Sequence, residues 1–239
     1  MKCYSSSRPC AFTLIETVIA IGVLAVLLTG FMMVFAPAAA GIRTALNVQE
    51  ADRLASTLEQ EMVTLHEPGT ATLKTGFAKA FEWIRKSNSA TDAMLVYQYR
   101  GKLSSSRPDG TPVPEPIIKD KLPGKDYVVQ TMARRKSDSK FTEDLTAIEG
   151  GVYLVKATQL VFAGGQLKPG TPGTIVDTKG TAAASSDVYA EAVIAFAADF
   201  FFLPAKTASY FKPGGGFEKT FTNTKVKKPV FTRNLAVRR

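Results

Sequence analysis

An α+β fold is predicted for this 239-residue chain: one long N-terminal helix, its first half transmembrane, packed on a C-terminal antiparallel β-sheet. Three observations predict it. The first is an apolar segment, residues 12–36, in which Glu16 is the only ionisable group. The second is an amphipathic continuation to about residue 66, stopped by Pro68-Gly69. The third is a series of β-type segments beyond residue 90, separated by Gly-, Pro- and Ser-rich stretches.

Charge follows the same division. The formal net charge is +9. Between residues 12 and 68, Arg43 and Arg53 stand against Glu16, Glu50, Asp52, Glu59, Glu61 and Glu67, so an acidic stem precedes a basic body. A basic body favours solubility and attraction to acidic surfaces. No RNP-like, helix-turn-helix or zinc-finger pattern accompanies the charge, so nucleic acid is not an expected partner. Both cysteines, Cys3 and Cys10, precede the apolar run. Once a leader is removed, neither a disulfide framework nor a cysteine-ligated metal site remains available.

The elements follow in order. Residues 1–11 form a polar leader with Lys2 and Arg8 and no acid. Residues 12–36 supply the about 20 apolar residues that a bilayer core of about 30 Å requires of a helix. The leader's positive charges place the N-terminus in the cytoplasm. Residues 37–68 form the stem, in which Pro37 and Gly41 are tolerable as a kink or local loosening. Ile42, Ala45, Leu46, Leu54, Leu58, Met62 and Leu65 make one apolar stripe. Residues 69–239 form the body. Phe77, Phe81 and Ile84 predict a short helix over Phe77–Arg85. Strands are expected at Met94–Arg100, Tyr127–Met132, Val152–Phe162, Val188–Leu203 and Val230–Val237. In the fourth, apolar residues occupy every even position, which suits a sheet with one buried face. The Phe200-Phe201-Phe202-Leu203 run fits a buried central strand. Ser104–Pro116 and Gln166–Gly180 read as loops, Arg134–Asp138 as a solvated turn, and Lys212–Gly216 as a hinge or loop. The repeated Ser-Ser-Ser-Arg-Pro at 5–9 and 104–108 has nothing similar around it and reads as chance.

The N-terminus fits three arrangements on residue chemistry alone. A plain single-pass anchor is one. A secretory signal cleaved after Ala38-Ala39-Ala40, releasing a soluble chain from Gly41, is another, although its apolar core exceeds the usual 7–15 residues. The third rests on Ala11-Phe12-Thr13-Leu14-Ile15-Glu16, which closely resembles the processing site of type IV prepilins and type II secretion pseudopilins. The resemblance covers residues 11 to about 36. It implies a pilin-like fold, cleavage between Ala11 and Phe12 by a prepilin peptidase, N-methylation of Phe12, and Glu16 as a subunit-assembly residue. Ala11 departs from the family's usual Gly. The implied product is a structural subunit of a type IV pilus or type II secretion pseudopilus, with the inner membrane and other pilin subunits as partners; the length of 239 residues and the long loops suit a minor subunit. It would lie in the inner membrane as a single-pass protein before joining a periplasmic or cell-surface filament. A charge near lipid is costly unless paired. Staggered helices in a filament would set Glu16 beside another subunit's Phe12 amine and neutralise both.

Enzymatic constellations are absent from the sequence. Gly164-Gly165 and Gly214-Gly215-Gly216 lack the residues that complete a phosphate-binding or dinucleotide fingerprint. His66, the one histidine, lies beside Glu67-Pro68, where a helix-end role is expected. Asp187, Glu191 and Asp199 match no EF-hand spacing and read as solvated acids. No cofactor and no metal site is expected, and the chain is read as non-enzymatic. The alternative from another class is a membrane-anchored or secreted periplasmic binding module for an acidic ligand. Lys225, Lys227, Lys228, Arg233, Arg238 and Arg239 make a basic tail that could meet the acidic stem of a neighbouring subunit.

Overall fold

The computed structural model describes residues 13–65, 75–224 and 227–239. The chain divides into one unit up to Leu46 and a second from Asn47 to Arg239, and helix α1 (Leu14–Val63) runs through the boundary. Pro37 lies inside α1 without ending it.

In the first unit every residue from Thr13 to Leu46 is exposed. From Thr17 to Ile42 none is charged. The hydroxyls in this stretch are satisfied locally: Thr29 Oγ1 donates to the Ala25 carbonyl at 2.8 Å. Backbone and hydroxyl groups satisfied within one helix are what an apolar medium requires. Among the described residues, α1 is the one helix long and apolar enough to cross a membrane.

The second unit is a seven-stranded antiparallel sheet with helices on both faces. Its strands are β1 (Met94–Ser106), β2 (Pro112–Pro114), β3 (Tyr127–Arg135), β4 (Ile148–Ala163), β5 (Gln166–Pro169), β6 (Val193–Phe202) and β7 (Phe231–Arg238). β1 pairs with β3 and β4, β4 with β6, and β6 with β7, while β2 adds to β1 and β5 to β4. On one face, Ala51, Leu54, Ala55, Leu58 and Met62 of α1 join Phe81, Trp83 and Ile84 of α2 (Gly76–Lys86). They pack with Val96, Tyr153, Val155, Phe196, Phe200 and Leu235 from the strands. On the other face, Tyr97, Tyr99, Leu154 and Phe201 pack with α3 (Ser139–Asp144), α4 (Ala208–Phe211) and α5 (Gly216–Asn223) through Phe141, Phe211, Phe217 and Phe221.

The α+β architecture, the α2 segment and the five expected strands are present. The stem stripe is buried from Leu54 to Met62, whereas Ile42 and Leu46 are exposed. β6 is a central strand, as its Phe-rich end predicts; Phe202 alone in that run is largely exposed and packs edge-on against Tyr153 at 5.6 Å.

Several expectations are corrected. The sheet is covered on both faces, because α3, α4 and α5 add a second layer. β1 continues through Ser106, and β2 returns beside it, so Ser104–Pro116 is not wholly loop. β5 forms within the expected loop because Gly164 and Gly165 both take φ near +70 (64° and 79°), the left-handed turn a two-residue hairpin needs. The strand starts at Val193 rather than Val188, which is exposed. Lys212–Gly215 is a loop as expected, and the elements it joins are the short helices α4 and α5. Arg134 is not in a solvated turn: it lies within β3 and is 5% exposed, because buried carboxylates meet it there.

Candidate functional site

The end of α1 at Thr13–Glu16 is built by a capping box. Thr13 precedes the first helical residue, Leu14. Its backbone N–H and its hydroxyl both donate to Glu16 Oε2, each at 3.0 Å. The Glu16 backbone N–H points at Thr13 Oγ1 at 3.4 Å. Two of the four donors that a helix start leaves unpaired are thereby engaged. A carboxylate in the first turn also faces the positive end of the helix dipole. Glu16 therefore has a local task before any second molecule is considered. Thr-x-x-Glu ahead of an apolar run is a legible signal for this box.

At its other end α1 is held by the body. Gly151 N–H donates to Glu50 Oε1 at 3.3 Å, and Tyr153 Oη donates to Glu50 Oε2 at 3.0 Å and to the Asn47 carbonyl at 3.1 Å. Burial, with the Glu50 charge beside it, pushes the Tyr153 phenol well above the usual range. Arg233 of β7 approaches Asp52 at 3.5 Å and Ser56 Oγ at 3.4 Å. The basic tail thus meets the acidic stem of its own chain at Arg233. Arg239 is likewise engaged internally, donating to the Tyr189 carbonyl at 2.9 Å and stacking over Phe77. The last turn of α1 is capped from α2. Lys79 Nζ donates to the carbonyls of Glu61 and Thr64 and lies 4.8 Å from the Trp83 ring centre. Burial lowers this amine to about 8, with the Glu61 carboxylate opposing the shift. Gly76 permits the close approach: a Cβ there would sit 2.2 Å from the Val63 carbonyl oxygen.

A buried ionic cluster ties α3 to the sheet. Asp144, fully buried, accepts from Tyr97 Oη at 2.6 Å, Arg107 Nη2 at 2.8 Å and Arg134 Nε at 3.2 Å. Burial and the neighbouring Asp144 push the Tyr97 phenol well up. Asp109 accepts from the backbone N–H and hydroxyl of Thr111 and pairs with Lys140 at 3.0 Å. Burial would raise its carboxyl, but those partners outweigh burial and hold it well below the usual carboxylate range. With every carboxylate engaged by a cation or donor, the cluster is architecture rather than an acid–base pair. No sequence signal announced it, since its members come from four separate segments.

Asp199 accepts from Thr232 Oγ1 at 2.6 Å. Among the described residues no group of three or more His, Cys, Asp or Glu side chains is placed to hold a metal ion. Ala11, Phe12 and His66 lie outside the described residues. No protein-family profile, curated protein or solved structure matches the chain.

Proposed function

We propose that this chain is a structural, non-enzymatic subunit, of minor type, of a type IV pilus or type II secretion pseudopilus. The chain inserts through residues 12–36 with its N-terminus in the cytoplasm. A prepilin peptidase cuts between Ala11 and Phe12 and methylates the new Phe12 amine. Assembly then packs the apolar helices of many subunits together, with Glu16 facing another subunit's Phe12 amine.

The observation that carries this proposal is the first unit: a helix exposed and uncharged from Thr17 to Ile42, with one carboxylate in its opening turn. A helix apolar all round demands lipid or other apolar helices around it. Lipid before assembly and neighbouring helices afterwards satisfy that demand in turn. The alternative, a binding module for acidic ligands, draws on the basic body. Arg107, Arg134, Arg233 and Arg239 of that body are engaged with its own carboxylates and carbonyls.

The capping box makes a discriminating test available. Gln serves as well as Glu in such a box, but it carries no charge. Glu16→Gln should keep α1 intact and membrane-inserted yet lose filament incorporation, read by co-expression with the assembly machinery and shearing of filaments. Normal incorporation of that variant would leave Glu16 a helix cap and nothing more.

A further inference from the structure

The loop from Glu115 to Asp126 presents large aliphatic side chains to solvent although it is tightly built. Ile117, Ile118 and Leu122 are 54%, 51% and 58% exposed. Its ends are fixed to β1: Glu115 N–H donates to the Arg100 carbonyl at 2.8 Å, and Tyr127 pairs with Lys102. Within it, Lys121 Nζ donates to Glu115 Oε1, and Leu122 N–H donates to Asp126 Oδ2 at 2.9 Å. Asp120 and Gly124 take φ of 67° and 81°, the left-handed region of tight turns. A bonded loop holding three aliphatics in water is poised to bury them elsewhere. Lys102, Lys119 and Lys125 are exposed around them, against Asp120 and Asp126.

The place of this loop on the body narrows what covers it. Along β4, the stem's partners run from Gly151, which meets Glu50, to Ala157, whose row leads through Ala198 to Arg233 and so to Asp52 and Ser56. The Gly151 end of the sheet is therefore the end at which the chain enters the body, at Asn47. β1 runs antiparallel to β4, pairing Tyr99 with Ile148. Arg100 and Lys102, which carry the loop, lie just past that pair, at the same end. Asn47 follows only four positions after Arg43, the first charge beyond the apolar run.

We propose that the 115–126 loop docks on an anionic bilayer surface, with Ile117, Ile118 and Leu122 in the interface and Lys102, Lys119 and Lys125 toward phosphate headgroups. Apolar side chains interleaved with lysines are the chemistry of interfacial binding: the aliphatics partition below the headgroups and the amines snorkel back to them. The proposal rests on α1 being the membrane anchor, which supplies the bilayer; the loop would steady the body against it.

Spin labels test this in full-length protein carrying Cys3→Ser and Cys10→Ser, reconstituted in phosphatidylethanolamine–phosphatidylglycerol vesicles. Labels at Val26→Cys, Ile118→Cys and Thr178→Cys report the anchor, the loop and an exposed turn beside Gln159, at the other end of β4. The readout is the ratio of collision with oxygen, which enriches in lipid, to collision with a water-soluble nickel chelate. The ratio at 118 should exceed that at 178 by about threefold or more, as for an interfacial side chain. It should fall toward the 178 value when Lys102, Lys119 and Lys125 become Gln. A ratio at 118 equal to that at 178 overturns the docking while leaving the anchor standing. Protection of 118 from both reagents that grows with protein density overturns it in favour of a second copy. Water contact at 26 removes the anchor, and the docking with it.

Discussion

Lys79 shows how one side chain joins two elements and leaves a signature in pH. Its amine caps the last carbonyls of α1 from within α2 and is lowered to about 8, first by burial. Between that value and the ordinary 10.5 the unfolded chain holds the proton and the folded chain does not. Stability from this residue therefore rises as pH climbs from about 8 to 10.5. Tyr97 and Tyr153 act oppositely: their phenols are raised, so above pH 10 the unfolded chain loses protons that the folded one retains, and stability falls. Denaturant titrations across this range should show stability peaking near pH 10, and Lys79→Met should flatten the rising limb. A rising limb of unchanged slope in Lys79→Met would assign it to another group. Glu16 belongs at this scale too. Its charge at the head of an apolar run is plain in the sequence, and the Thr13-x-x-Glu16 spacing that makes it a helix cap is legible beside it. The cap leaves the proposed intermolecular pairing possible, since one carboxylate oxygen is held by Thr13 and the group has further lone pairs to offer.

Helix α1 is a single element with two kinds of surface. Up to Leu46 all of it is exposed, while Ala51, Leu54, Ala55, Leu58 and Met62 bury one stripe against the sheet. Leu58→Ala should cost about 2–5 kcal/mol by the loss of packed methyl groups and the cavity left behind. Ile42→Ala, on the exposed part, should stay within about 0.5 kcal/mol. Chemical denaturation of both variants in detergent checks the contrast; equal losses would mean that the stem does not pack as described. Periodicity made the buried stripe legible, and alternation made β6 legible, because both are local patterns tied to one solvent-averse face. The helical layer over the second face was not legible. α3, α4 and α5 are short, and each buries only one or two aromatics (Phe141, Phe211, and Phe217 with Phe221), too few to make a stripe over several turns. The burial of Arg134 is hidden in the sequence for a related reason. Its neighbours Arg135, Lys136 and Asp138 mark a turn, while the carboxylate that draws it inward, Asp144, reaches it from the end of a separate helix.

The molecule pairs an exposed apolar helix with a body whose core lies on both faces of its sheet. The body's aromatic side chains and buried charges are packed on both faces of its sheet, so the unsatisfied surface lies mainly in the N-terminal helix. Such a division agrees with the proposed function, in which the helix would enter lipid first and pack among other helices afterwards. In the proposed function everything turns on removal of residues 1–11, which would create the Phe12 amine that Glu16 is proposed to meet. The most direct test is intact-mass and N-terminal peptide analysis of the protein extracted from membranes of cells that contain a prepilin peptidase. A chain beginning at N-methylated Phe12 is the predicted result. A chain beginning at Met1 in those cells, or at Gly41, would contradict it.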